Sequence, residues 1–157
     1  MAIEIEKKFL IKHIPYEQIT YSQKIKQGYI VSDKNKVIRV RKKNNQYFIT
    51  IKGNKIGLSR FEFEYSIPKE DGEKLLNKFC ENGFIKKTRH YVTFEKHTWE
   101  IDEFHEKNEG LIVAEIELKS EDENFKIPDW ILKEVTNEQR YYNMNLIINP
   151  FNIWTKK

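Results

Sequence analysis

Charged residues in this chain recur two apart and alternate with large apolar ones. Glu4, Glu6 and Lys8 alternate with Ile3, Ile5 and Phe9, and Arg39 and Arg41 with Ile38 and Val40. Arg60, Glu62 and Glu64 alternate with Phe61, Phe63 and Tyr65, and Glu115 and Glu117 with Ala114, Ile116 and Leu118. Lys87 and Arg89 repeat the spacing. The side-chain period of a strand is two, so each set lies on one face. With Lys52 and Asp102 the inventory reaches seven acids and seven bases. Arginine forks match phosphate oxygens bidentately and lysine acts as a point charge. Grouped carboxylates suit Mg²⁺ or Mn²⁺, which take oxygen ligands and bridge phosphates. A polyanion clamped by bases, with divalent metal on the clustered carboxylates, is the ligand such a set would accept. That is phosphate chemistry.

Eight segments carry the strand pattern that must position these residues: Ile3–Ile11, Gln23–Ser32, Lys36–Lys43, Gln46–Gly53, Leu58–Ile67, Ile85–Glu95, Thr98–Phe104 and Leu111–Leu118. Asp33-Lys34-Asn35, Asn44-Asn45, the 54–57 stretch and Lys96-His97 fall where hairpin turns are expected. Two stretches read as helices. The first runs from Pro68 to Cys80, with Leu75, Leu76, Phe79 and Cys80 at helical spacing. The second covers roughly 128–135 and then 137–148, with Asn137 as N-cap. The expected fold is a single mainly-β (α+β) domain over 1–157, an eight-stranded antiparallel closed β-barrel with helices packed outside. Each charged face alone also fits the solvated outside of a strand. Five of them, backed by aromatic and β-branched residues, point the other way, because those apolar backs need cover. Helices outside would supply it and the charges would line the inside. That arrangement is costly unless the charges compensate one another or hold a ligand.

The chain has 157 residues, 33% charged, with a net charge of +4. Its 10 Phe, 8 Tyr and 3 Trp supply bulky core material, which argues against disorder. No apolar run of about 18 residues exists, so no membrane-spanning helix is expected. The acidic, alternating start is unlike a signal peptide. Cys80 has no partner for a disulfide, fits a reducing cytoplasm and reads as a small buried apolar residue. The isoelectric point is about 9.0, yet the lysines are spread among acids, so nucleic acid is not the expected partner. There is no Gly-rich phosphate loop, and His13, His90, His97 and His105 lack metal-ligand spacing. Tyr47, Phe48, Phe61 and Phe63 read as core residues; outward stacking platforms for a polyphosphate- or RNA-binding barrel are the alternative.

In order along the chain, the motifs resemble those of the CYTH superfamily, the triphosphate tunnel metalloenzymes. Glu4-Ile5-Glu6-Lys7-Lys8 is similar to its Glu-x-Glu-x-Lys signature. Gln27-Gly28-Tyr29, Arg39-Val40-Arg41, Thr50-Ile51-Lys52-Gly53 and Arg60-Phe61-Glu62-Phe63-Glu64 follow. Lys87-Thr88-Arg89, Ile101-Asp102-Glu103-Phe104 and Ala114-Glu115-Ile116-Glu117-Leu118 complete the strands, and Glu134-Val135-Thr136 with Arg140-Tyr141 resembles the closing helix.

The resemblance implies that Glu4, Glu6 and Glu117 hold divalent metal, Mg²⁺ or Mn²⁺, with Glu62, Glu64 and Glu115 nearby as further metal or water-positioning ligands. Lys8, Arg39, Arg41, Lys52, Arg60, Lys87 and Arg89 would grip the phosphates, and Lys8, Glu62, Glu64 and Asp102 would act in catalysis. Tyr29 would either position a leaving group or simply pack, and Arg140 would either cap the tunnel or pair at the surface. The implied activity is hydrolysis of a triphosphate, foremost inorganic tripolyphosphate to pyrophosphate and phosphate. Class IV adenylate cyclase and thiamine or nucleoside triphosphatase are the alternatives. The cyclases carry a longer lead with a His-Phe pair before Glu-x-Glu-x-Lys, which here begins at residue 4. A cytoplasmic location and a homodimer complete the expectations.

Overall fold

The alternation resolves into nine strands among the described residues, which are 3–154 of this computed structural model. They are β1 (Ile3–Ile11), β2 (Ile19–Ser32), β3 (Lys36–Lys43), β4 (Gln46–Gly53), β5 (Ser59–Ile67), β6 (Ile85–Phe94), β7 (His97–Phe104), β8 (Ile112–Glu117) and β9 (Ile131–Glu134), with helices α1 (Lys69–Phe79) and α2 (Asn143–Ile148). The first eight pair antiparallel in the order β5-β4-β3-β2-β6-β7-β8-β1. β5 then returns to β1 through Ile3↔Phe61, Glu4↔Arg60 and Ile5↔Ser59, which closes the barrel. Hairpins between neighbours in sequence account for most of this order, as the short polar turns require. No helix among the described residues is long and apolar enough to cross a membrane.

Of the expected second helix only the end, Asn143–Ile148, is α-helical. Residues 131–134 form β9 instead, on the edge of β1 that β5 has left free, with Phe9↔Glu134 and Leu10↔Lys133 in register. A short apolar run such as Trp130-Ile131-Leu132 fits helix and strand alike, and the unfilled edge of β1 decides it. Beyond Val135 the chain makes one 3₁₀ turn at Gln139–Tyr141 and the six-residue α2, whose N-cap position is Tyr142 rather than Asn137.

Apolar side chains lie largely outside the barrel wall. Phe9, Val92, Trp99, Ile101 and Ile116 point outward and are covered by Ile14, Leu118, Trp130 and Ile131. Val40 and Tyr47 point outward beneath Leu76 of α1 and Cys80. Cys80 is therefore the small buried residue expected of it, 6% exposed. A third cluster is internal. Ile85, Phe104 and Val113 are in phase with Lys87, Asp102 and Glu115, and they meet Val135, Tyr141 and Leu146 from the C-terminal segment. This apolar plug fills one end of the barrel.

Cover is incomplete on one flank. Tyr47 is core as expected, but Phe61 and Phe63 are not: they point outward and are 60% and 42% exposed. The cause is the placement of α1, which lies over β2, β3 and β4 and leaves the outside of β5 bare.

α1 sits close to the wall because two glycines permit it. A Cβ on Gly28 of β2 would stand 2.7 Å from the Cβ of Cys80, and one on Gly72 of α1 would run into the ring and Cβ of Tyr47. Alanine at a helix interior ordinarily gains up to about 1 kcal/mol over glycine. At Gly72 overpacking against the buried Tyr47 costs roughly 1–3 kcal/mol and wins. Gly72→Ala is accordingly expected to lower the melting temperature by several degrees in a thermal scan. A rise would mean that α1 can shift outward freely.

Candidate active site

The inward positions of the strands converge on one charged chamber between the plug and the opposite end. Strand register dictates the neighbours: Lys8 faces Glu115 and Glu6 faces Glu117 across β1 and β8, Lys52 faces Glu62 and Thr50 faces Glu64 across β4 and β5, and Arg89 faces Asp102 across β6 and β7. Lys8, Arg39, Arg41, Lys52, Lys87, Arg89, Asp102 and Glu115 are all buried. The fold thus brings the candidate residues together, with Arg60 and Glu62 half-buried and Glu117 exposed at the rim.

One region is knit by ion pairs. Asp102 accepts from Arg89 Nε at 2.8 Å and Nη2 at 2.9 Å, and from Lys87 Nζ at 2.7 Å. Burial alone would raise the Asp102 pKa, but Arg89 and Lys87 outweigh it and hold the carboxyl down at about 2. Lys87 moves the other way. Burial, then Arg89 and Arg41 against the opposing pull of Asp102, bring its ammonium down to about 7. Its Nζ also donates to Asn143 Oδ1 of α2, which ties the chamber to the C-terminal segment.

The β3 side holds cations short of anions. Arg41 is 5% exposed and donates through Nε to the neutral Gln27 Oε1 at 2.8 Å. Among the described residues no carboxylate lies within ion-pairing range of it. Burial, followed by Arg39 and Arg89, pulls its pKa down to about 10. Beside it, Arg39 binds Thr50 Oγ1 at 3.0 Å and Glu64 at 3.4 Å through Nη2, while its buried Nε has no partner. Buried donors of this kind are rare unless something is meant to fill them.

The β1 side holds carboxylates in surplus. Lys8 Nζ reaches Glu115 at 2.7 Å, and Lys52 Nζ reaches Glu4 at 3.1 Å and Glu62 at 3.3 Å. Even so, Glu4 lies against Glu62 and Glu6 against Glu115, and each acidic pair repels its own second negative charge. Burial, reinforced by Glu115 and Glu4, pushes Glu6 up to about 8. Glu62 and Glu117 are raised as well, by burial first and then by Glu4. These residues fit a hard divalent cation, with Glu4, Glu6, Glu62, Glu115 and Glu117 as the oxygen donors. Among the described residues no three such side chains already stand at cage spacing. Pairs of carboxylates completed by substrate oxygens and water are the usual way in which Mg²⁺ is held. Glu64 stands apart from this group, bound to Thr50 Oγ1 at 2.8 Å and to Arg39.

Glu100 and Asn143 escaped the sequence reading, and Gln27 entered it only as part of a motif, without a role in the chamber. Glu100 is in phase with Asp102, faces Glu115 across β7 and β8, and accepts from Arg89 Nη1 at 3.2 Å. The Trp99-Glu100-Ile101-Asp102 alternation contained that signal. Gln27 is fully buried and bridges Arg41 to the Tyr29 hydroxyl, and Asn143 arrives from far along the chain. Arg140 lies 3.7 Å above the Trp154 ring.

The chain is 46% identical over 151 residues to an inorganic triphosphatase of Acetivibrio thermocellus, covering 96% of this chain and 97% of the relative. It is 32% identical over 150 residues to an inorganic triphosphatase of Nitrosomonas europaea, covering 93% and 97%. The crystal structure of the inorganic triphosphatase NE1496 superposes with a TM-score of 0.67 at 30% identity, over 94% of this chain and 96% of that one. The CYTH domain signature matches residues 2–145. That span runs from the first glutamate pair on β1 to α2 at the plugged end, so the charged chamber and the family pattern occupy the same stretch of chain, and this protein belongs to the CYTH family.

Proposed function

We propose that this protein is a divalent-metal-dependent inorganic triphosphatase, cleaving tripolyphosphate to pyrophosphate and orthophosphate. The buried Arg41 without a carboxylate partner supports this most directly. It is a desolvated cation, flanked by the unfilled Nε of Arg39, and a phosphate oxygen would complete both. The names of the Acetivibrio and Nitrosomonas relatives point to the same substrate.

In this reading Arg39, Arg41 and Arg89 grip the polyanion, with Arg89 held in orientation by Asp102 and Glu100. Lys8, Lys52, Arg60 and Lys87 neutralise the charge that builds on the transferred phosphoryl and on the departing pyrophosphate. Glu4, Glu6, Glu62, Glu115 and Glu117 would hold Mg²⁺ or Mn²⁺, which would supply Lewis-acid charge toward the phosphate. The water oxygen bonds to the terminal phosphorus as the bond from that phosphorus to the bridging oxygen breaks, the bridging oxygen leaves with pyrophosphate, and the water's proton passes to a carboxylate of the acidic wall and on to solvent. The plug leaves the opposite end as the entrance, so the terminal phosphate goes in first. Cys80, reduced and buried, fits a cytoplasmic enzyme.

The test is to treat the protein with EDTA and incubate it with tripolyphosphate, ATP or thiamine triphosphate, with and without added Mg²⁺ or Mn²⁺. Products are read by phosphorus NMR. The expected result is pyrophosphate plus orthophosphate from tripolyphosphate, only with metal, and slower turnover of the other two. Full activity in EDTA would remove the metal from the scheme. Cyclic AMP from ATP would make the protein a cyclase.

A further inference from the structure

We propose that the outer wall of β2, β3 and β6 carries a second anion site, which binds a short condensed phosphate without cleaving it. Lys26 of β2 stands directly opposite Lys42 of β3 on one side and Lys86 of β6 on the other. Gln27, Arg41 and Lys87 point into the chamber, so these three lysines point outward in one row. Neighbouring strands lie about 4.8 Å apart, and the row spans roughly 10 Å. Lys24 joins it two residues along β2, opposite Thr88, whose hydroxyl meets His105 Nε2 at 2.7 Å. Together these side chains line a cleft of about 930 Å³, within the range of small-molecule sites.

Like charges directly opposite one another across a sheet destabilise it. Among the described residues Lys24, Lys26 and Lys42 have no carboxylate within ion-pairing distance, and only Lys86 has one, Glu106 at 2.9 Å. Glu103, opposite Thr88, is taken by His90 at 3.0 Å. Nor is the row loosely solvated. Lys26 and Lys42 are half-buried, and their ammonium groups lie 4.3 Å over the Phe84 ring and 5.8 Å over the Tyr47 ring. Those contacts hold both stems along the wall. The next outward pair on the same two strands, Gly28 and Val40, lies under Cys80 and Leu76 of α1. The lysine row starts where that cover stops.

The occupant this cleft suits is an inorganic polyanion. Each lysine offers three donors at a point charge, which matches the many equivalent oxygens of a condensed phosphate. A nucleic-acid strand would need bare aromatic faces for its bases. The rings at the cleft, Phe84 and Tyr47, already carry Lys26 and Lys42. The acidic wall that would hold a cation in the chamber has no counterpart here, since Glu103 and Glu106 are both engaged, so a ligand bound in the cleft keeps its anhydride bonds. The choice of condensed phosphate among small anions rests on the triphosphatase reading; the cleft itself stands without it.

Calorimetric titration of the protein in EDTA at low salt is expected to give two equivalents of tripolyphosphate per chain. Lys26→Glu with Lys42→Glu is expected to lose one of them, at about tenfold in affinity for each lysine removed. Its metal-supported kcat for tripolyphosphate is expected to stay unchanged. Arg41→Ala is expected to lose the other equivalent together with hydrolysis. A titration that is unchanged in the double lysine variant overturns the proposal. So does a 5′-hydroxyl oligoribonucleotide that binds the wild type more tightly than tripolyphosphate and is lost in that variant, which would make the cleft a nucleic-acid site. If the charge-reversed variant does not fold, Lys26→Gln with Lys42→Gln decides by the same two criteria. Two equivalents without hydrolysis in added metal would uphold the outer site and overturn the triphosphatase reading alone.

Discussion

Asp102→Ala is expected to cost the fold about 3–5 kcal/mol, the penalty for breaking a buried ion pair from one side. Its hydrolysis of tripolyphosphate is expected to fall below detection. The carboxylate is 1% exposed and is shared by Arg89, through Nε and Nη2, and Lys87. Without it, two desolvated cations face each other, with Arg41 as a third nearby. Arg89 keeps only Glu100 at 3.2 Å, and Lys87 keeps Asn143 at 3.1 Å. Lys87, already brought down to about 7 while Asp102 is present, would lose its proton. Urea unfolding measures the first effect, and activity at a temperature where the variant remains folded measures the second. Asp102→Asn separates charge from shape: it is expected to recover part of the stability and little of the activity. A variant as stable as wild type would mean that water reaches Arg89 and Lys87 and that the chamber is wetter than its burial implies.

The same carboxylate fixes an acid limit. Its folded pKa of about 2 lies below the 3.8 of an unfolded aspartate. The stability it contributes is therefore present above pH 4 and drains away as the pH falls toward 2. Lys87 destabilises instead. Its folded pKa of about 7 lies below the ordinary 10.5, so its penalty is full below pH 7 and fades as the pH rises from 7 to 10.5.

The inner lining was legible because a strand allows only two faces. Once Glu4, Glu6 and Lys8 are in, Ile3, Ile5 and Phe9 are out, and the same parity runs through Arg39, Arg89 and Glu115. Glu100 obeys the same rule, in phase with Asp102 two residues on. The plug was not legible, since Val135 and Leu146 meet Ile85 and Val113 by tertiary packing alone. Nor was the fate of residues 131–134, where an open edge of β1, rather than any local propensity, makes a strand. Phe61 and Phe63 show the limit of periodicity. Parity sends them outward correctly, but whether a helix then covers them depends on where α1 lands, and Gly28 and Gly72 draw it to the other side of β4.

Glu6→Gln is expected to stabilise the metal-free protein at alkaline pH while lowering hydrolysis at least about a hundredfold, the usual scale for losing a group that a metal or its second shell depends on. Glu6 faces Glu117 across the ladder, and its burial first, then the charges of Glu115 and Glu4, push its pKa up to about 8. The folded value lies above the unfolded 4.5. Its contribution is therefore intact below pH 4.5, declines between 4.5 and 8, and is gone above 8. At pH 9 the metal-free native state carries an ionised Glu6 that folding has desolvated among other acids, at a cost on the order of 2–4 kcal/mol. Glutamine removes that charge and can donate its amide to Glu115. The melting temperature in EDTA at pH 9 is expected to rise by about 5–10 °C over wild type, with little difference at pH 5. Added Mg²⁺ is expected to reverse the order, because it stabilises the wild type by binding the folded form and gains less from the variant. A variant that melts lower than wild type at pH 9 without metal would show that Lys8 and Lys52 already neutralise Glu6, and that the acidic wall does not need a cation to hold it.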